Sequence, residues 1–62
     1  MNLEKGMRVV VYDLVQAGDE IVKKVAGAGV VEWTDGHIVE IRMDFSRTIR
    51  EETVNTVKSE QK

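Results

Sequence analysis

The chain has no cysteine at all, which removes disulfide frameworks and thiolate metal sites from consideration. Its one histidine, His37, is too few for an all-protein zinc site. Long apolar runs are missing too. No stretch approaches the roughly 20 residues that a membrane span needs, and the opening MNLEKGM has neither the basic nor the apolar region of a signal peptide. Charge of one sign is also lacking. Nine Lys and Arg stand against eleven Asp and Glu, interspersed, for a net charge of −2. That is the balance of a soluble domain, not of a strongly basic nucleic-acid binder or an acidic nucleic-acid mimic. A cytoplasmic location is the expectation that follows. At 62 residues one domain is expected, and a chain of this size buries only about 60% of its unfolded surface.

What is there is organised around GAGVVEWTDGHIVEIRMD, Gly27 to Asp44. Two runs rich in Val and Ile flank Asp35-Gly36, a strong hairpin signal. A loop of Thr34, Asp35 and Gly36, with Gly36 left-handed, sets Trp33 opposite His37, Val31 opposite Val39 and Gly29 opposite Ile41. Val31, Trp33, Val39, Ile41 and Met43 then share one face, and Val30, Glu32, Glu40 and Arg42 the other. A two-residue loop mixes charge into both faces, so the three-residue loop is preferred.

Upstream, Gly6 reads as a turn and Met7 to Leu14 as a strand with Val9 and Val11 inward. Val15 to Ala26 reads as a long, partly extended loop or extra strand, with a short helix capped by Asp19 as the rival. The small residues Ala26 to Gly29 suit a tight corner better than a phosphate-binding loop, because no Gly-Lys-Ser/Thr and no helix follow. Downstream, Phe45-Ser46 reads as a tight connection and Arg47 to Arg50 as a short strand with Ile49 inward. Glu51 to Thr53 suits one helical or 3₁₀ turn, and Val54 and Val57 can both reach the core. Strands are therefore expected near 7–14, 28–34, 37–44 and 46–50, over a core of Val9, Val11, Val31, Trp33, Val39, Ile41, Ile49 and Val54. Residues 1–5 form a lead-in, residues 6–57 the domain, and residues 58–62 a disordered tail.

Strand, variable loop, small-residue corner, hairpin, short strand and terminal turn is the layout of a five-stranded SH3-like barrel. The motifs G-x-G-V-V-x-W at Gly27 to Trp33, V-E-I at Val39 to Ile41 and F-S-R-T-I at Phe45 to Ile49 resemble those of Tudor-like and KOW-type barrels. They are most similar to the C-terminal Tudor-like domain of UvrD-type repair helicases, whose pattern has a shorter segment before Gly27. The likeness runs over residues 6–57 and consists of small and aliphatic residues. It implies an all-β fold and a non-catalytic domain that binds RNA polymerase, ribosomal components or nucleic acid. An aromatic cage for methylated lysine is not expected, because Tyr12, Trp33 and Phe45 are the whole aromatic set and the register turns Trp33 inward.

No catalytic, metal or cofactor residues emerge. The serines, Ser46 and Ser59, lack triad partners. Asp35 and His37 read as turn chemistry and strand cover sooner than as a base with its orienting carboxylate. Glu32 and Glu40 read as solvated charge. Tyr12, Arg42, Arg47 and Arg50 are the candidate partner-binding residues, since arginine and tyrosine are enriched at interfaces and arginine also contacts phosphate. Neighbouring Glu40, Asp44, Glu51 and Glu52 are expected to pair with some of these cations. The expectation is a monomeric or weakly self-associating binding module, not an enzyme, that docks on a protein machine such as the transcription apparatus, in the setting of a phage or mobile element. Direct RNA or DNA binding through the arginines, or a structural subunit self-associating through an edge strand, are the alternatives.

Overall fold

The computed structural model describes residues 3–60. Five antiparallel strands form one sheet: β1 Arg8–Ala17, β2 Glu20–Thr34, β3 Ile38–Met43, β4 Ile49–Thr53 and β5 Val57–Ser59. Their spatial order is β4-β3-β2-β1-β5. Apart from one 3₁₀ turn, Val54–Thr56, there is no helix among the described residues, and so none long and apolar enough to cross a membrane. The all-β architecture is the expected one. The sheet, however, does not close: β4 and β5 are its two edges and do not pair with each other. It curls instead, because Val9, Val11, Val31, Val39, Ile41, Met43 and Val57 gather into one cluster from β1, β2, β3 and β5. Leu3 and Met7 pack against that cluster from outside the strands.

The hairpin around Asp35-Gly36 forms, with Gly36 at φ 99° as its turn chemistry requires. Asp35 Oδ1 accepts the backbone N–H groups of His37 and Ile38, each at 2.8 Å, and Thr34 Oγ1 donates to Ile38 O at 2.9 Å. The register differs from the expected one by two residues, Val31 lying opposite Ile41 and Gly29 opposite Met43. A shift of two preserves faces, so Val31, Val39, Ile41 and Met43 remain inward.

Trp33 does not. A bulge between Val31 and Trp33 sets Trp33 opposite Glu40 and Thr34 opposite Val39. Thr34, small and hydrogen-bonded through its hydroxyl, takes the inner position, and Trp33 turns out with 48% of its surface exposed. Its expected partner His37 sits in the exposed loop.

Three more expectations are corrected. β4 starts at Ile49, after a connection closed by Met43 N–H to Thr48 O (3.0 Å) and Arg47 N–H to Met43 O (3.1 Å). Arg42 then faces Ile49 and Ile41 faces Arg50, so Ile49 points outward and Arg50 inward. The 3₁₀ turn falls at Val54–Thr56, not at Glu51 to Thr53, because Glu51 and Glu52 pair with Glu40 and Val39 as strand. Val54 is exposed there, whereas Val57 is buried. Lastly, Lys58 and Ser59 are strand, and Glu60 N–H donates to Arg8 O at 3.1 Å. The expected disordered tail is thus ordered through Glu60, while Gln61, Lys62 and the first two residues of the lead-in lie outside the described residues.

Of the readings of Val15 to Ala26, the extended strand is the one that forms, and the helix does not. β1 and β2 run on together past the body, Tyr12 opposite Val25 through Ala17 opposite Glu20, to a Gly18-Asp19 turn with Gly18 at φ 65°. Glycine at the first of two central positions is the type II′ hairpin turn, whose twist matches that of the strands. The result is a two-stranded arm projecting from the sheet.

Candidate protein-docking surface

Inward Val9 and Val11 fix the faces of β1: Asp13, Val15 and Ala17 continue the inner side, and Tyr12, Leu14 and Gln16 the outer side. Their partners on β2 follow, Val25, Lys23 and Ile21 lying on the outer side with them. Leu14, Ile21 and Val25 are 58%, 71% and 67% exposed, and Tyr12 is partly buried at the root of the arm. An apolar stripe of Tyr12, Val25, Leu14 and Ile21 therefore runs along one face of the two-stranded ladder. Lys23, within the stripe, is turned aside, its Nζ donating to Asn55 O at 3.2 Å.

The four residues singled out in the sequence are not brought together. Tyr12 and Arg42 lie on the outer side of β1 and β3. Arg47 lies in the β3–β4 connection, with φ 57°. Arg50 projects from the opposite face of the sheet, as Ile41's partner. The expected single arginine face is corrected by the phase of β4: with Ile49 turned out, Arg50 must turn in.

Most of these cations are also neutralised. Arg42 Nε donates to Glu32 Oε1 at 2.6 Å, and this hydrogen bond holds the Glu32 carboxyl below the usual carboxylate range. Arg50 Nε donates to Glu52 Oε2 at 2.5 Å, and its second nitrogen reaches Asp13 Oδ1. These two bonds, Glu52's first, raise its affinity for the proton. Arg8 likewise spans Asp44 at 2.5 Å and Glu60 at 3.0 Å, and its hydrogen bond lowers the Asp44 pKa. Among the described residues no ion pair involves Arg47. Asp35, two residues before His37, is committed to the turn, the N–H groups of Ile38 and His37 lowering its pKa.

An open groove of about 240 Å³ lies between Ala26, Gly27 and Ala28 of β2 and the β3–β4 connection, with Phe45, Ser46 and Arg50 across from them. Phe45 stands fully exposed at its rim. The small residues lie within the continuous strand β2; the register shift opposite Val11 and Tyr12 and the β3 backbone close against Gly29 are the bulge and close approach expected of them, and they leave one flank of the strand open.

No family model, no curated protein and no solved structure matches this chain. The functional reading accordingly rests on the residues and on the shape that they take. The arm's apolar face escaped the sequence because Val15 to Ala26 carries both helical and extended spacings. The signal that locates it is Gly18-Asp19, a two-residue hairpin turn flanked on each side by aliphatic pairs, Leu14-Val15 and Ile21-Val22.

Proposed function

We propose that this chain is a non-enzymatic binding module, a small accessory or regulatory protein that docks on a larger protein machine through the outer face of the β1–β2 arm. The observation that carries the reading is the stripe of Tyr12, Leu14, Ile21 and Val25, exposed on a ladder that contributes nothing to the core. Contiguous exposed apolar surface of this kind marks interaction sites. A rigid aromatic at its base is the type of residue that anchors interfaces. The transcription apparatus stands first among the machines by the resemblance to Tudor-like and KOW-type domains, and the cytoplasm is the compartment of this reading.

Nucleic acid as the direct ligand fits less well, since Arg8, Arg42 and Arg50 are engaged with Asp44, Glu60, Glu32, Asp13 and Glu52. The test is affinity capture from the native host, followed by the variant Leu14→Ser, Ile21→Ser, Val25→Thr. Circular dichroism and melting should be nearly unchanged, because these side chains are exposed, and the captured partner should be lost. Changing Arg42, Arg47 and Arg50 together to Ser should leave the partner bound. Retention by the arm variant with loss by the arginine variant overturns the reading. A steep linear fall of log affinity with log salt would then identify nucleic acid.

A further inference from the structure

From Glu20 to Ala28, β2 pairs only with β1; its pairing with β3 begins at Gly29. Asp44 N–H takes Ala28 O at 3.0 Å, so the open flank runs from Glu20 to Gly27. In a two-residue hairpin the residues beside the turn, Ala17 and Glu20, exchange hydrogen bonds, and alternate residues beyond them turn their backbone groups away. Ile21, Lys23 and Val25 therefore present N–H and C=O outward along this flank. No turn or loop hydrogen bond among the described residues takes up those groups. An edge of this kind is a template for another strand.

We infer that the strand it accepts is the same segment of a second copy, paired antiparallel about a two-fold axis at Val22. The segment's charges select both partner and register. Glu20, Val22 and Lys24 share the inner face of β2, so a two-fold at Val22 sets Val22 against the partner's Val22. Glu20 then lies opposite the partner's Lys24, and Lys24 opposite the partner's Glu20. Two crossed ion pairs flank an apolar centre, and Ile21 and Lys23 exchange backbone hydrogen bonds with the partner's Lys23 and Ile21. Centring on Lys23 or Lys24 opposes like charges across the axis, which destabilises a strand pair. Centring on Ile21 sets Glu20 against Val22 and brings only Asp19, in the turn and outside the strand, opposite Lys23; centring on Val25 sets Lys24 against Ala26 and matches no charge. The surface is thus self-complementary in the sense that a closed two-fold dimer requires. The outer faces of the two arms adjoin in that dimer, and the pairing is independent of what those faces bind.

The experiment is sedimentation equilibrium on the full chain over a range of concentrations, with folding of each variant checked by circular dichroism. The parent should pass from monomer to dimer mass. Glu20→Lys and Lys24→Glu, each alone, should weaken the dimer by about tenfold or more, since each converts both crossed pairs to repulsion. The double variant Glu20→Lys, Lys24→Glu should restore it.

A second measurement uses the absence of native cysteine. At the two-fold the Val22 Cα atoms should lie about 4.5 Å apart, within disulfide reach. Val22→Cys should therefore give a covalent dimer on mild oxidation, whereas Gln16→Cys on the other strand should not. A monomer mass at the highest attainable concentration overturns the inference, and Lys23 and Lys24 then act as guards of the edge. So does a dimer indifferent to the charge reversals, or one cross-linked as readily through Gln16→Cys.

Discussion

Replacing Gly29 by Ala probes the corner where β2 leaves the arm and enters the body. Gly29 is buried between Val9 and Met43 on the inner side of the sheet. An added Cβ would fall onto the Arg42 carbonyl oxygen, with Ile41 Cγ2 at 2.8 Å and Arg42 C at 3.0 Å. Two of those three atoms are β3 backbone and cannot rotate aside, so relief requires β3 to move off β2. Overpacking of a close contact costs about 1–3 kcal/mol, and each ladder hydrogen bond weakened in the process adds about 1 kcal/mol. The expected loss is about 3 kcal/mol, a large part of the stability of a domain this small, which is of order 5 kcal/mol.

Gly27→Ala is the internal control. There the added atom meets only Met43 Cε at 2.9 Å, the far end of a flexible side chain that can swing away. A loss below about 1 kcal/mol is expected for such an adaptable neighbour. Urea titration of both variants should show a lower midpoint for Gly29→Ala with an unchanged slope, and near-parent behaviour for Gly27→Ala. Equal losses from the two, or a neutral Gly29→Ala, would refute the close approach of β2 and β3.

Gly36→Val should destabilise by more than about 1 kcal/mol, because a β-branched side chain resists the positive φ of that turn; an unchanged melting temperature counts against the turn. Trp33→Ala should cost only about 1–2 kcal/mol, well under the 3–5 of a buried tryptophan, and iodide should quench native fluorescence readily; strong protection from iodide would return Trp33 to the core. Asp44, Asp35 and Glu32 all have pKa values lowered by hydrogen bonds in the fold. Their contribution is present above the usual unfolded value of about 4 and is lost as pH falls through the lower folded values. Melting temperature should therefore fall on acidification below about pH 4, and Asp44→Asn with Asp35→Asn should flatten that dependence. A double variant with the parent's acid profile would show that other groups control it.

The parts of this fold that local chemistry dictates were legible beforehand. The alternation of Val9 and Val11, of Val39, Ile41 and Met43, and the Asp35-Gly36 turn each follow from a period of two and one left-handed glycine. What was not legible depends on where a single residue is absorbed. The bulge at Glu32 leaves the composition of β2 unchanged but reverses Trp33, and the length of the β3–β4 connection decides whether Ile49 or Arg50 faces inward. Nothing in the adjacent letters distinguishes those phases, since both settings leave one aliphatic and one arginine on opposite sides. The four candidate residues are dispersed for a related reason: the phase of β4 that turns Ile49 out beside Arg42 turns Arg50 in beside Ile41, and Arg47 precedes the strand. The arm was recoverable in principle from Gly18-Asp19, whose significance grows once Val15 and Val22 are read as cross-strand partners.

The pairing of β5 with β1 has a consequence for the order in which this molecule assembles. β1–β2, β2–β3 and β3–β4 are all ladders between sequence neighbours, and such hairpins close in about 1–10 microseconds. Val9 with Ser59 and Val11 with Val57 join the two ends of the chain, so nearly the whole polypeptide must be looped to make three residue pairs. That closure entropy sets a late step. β5 should be the last strand to dock and, held by so short a ladder, the first to lift. Hydrogen exchange should accordingly divide β1 lengthwise. The amides shared with β5 should exchange by local opening, and those shared with β2 only when the sheet itself comes apart.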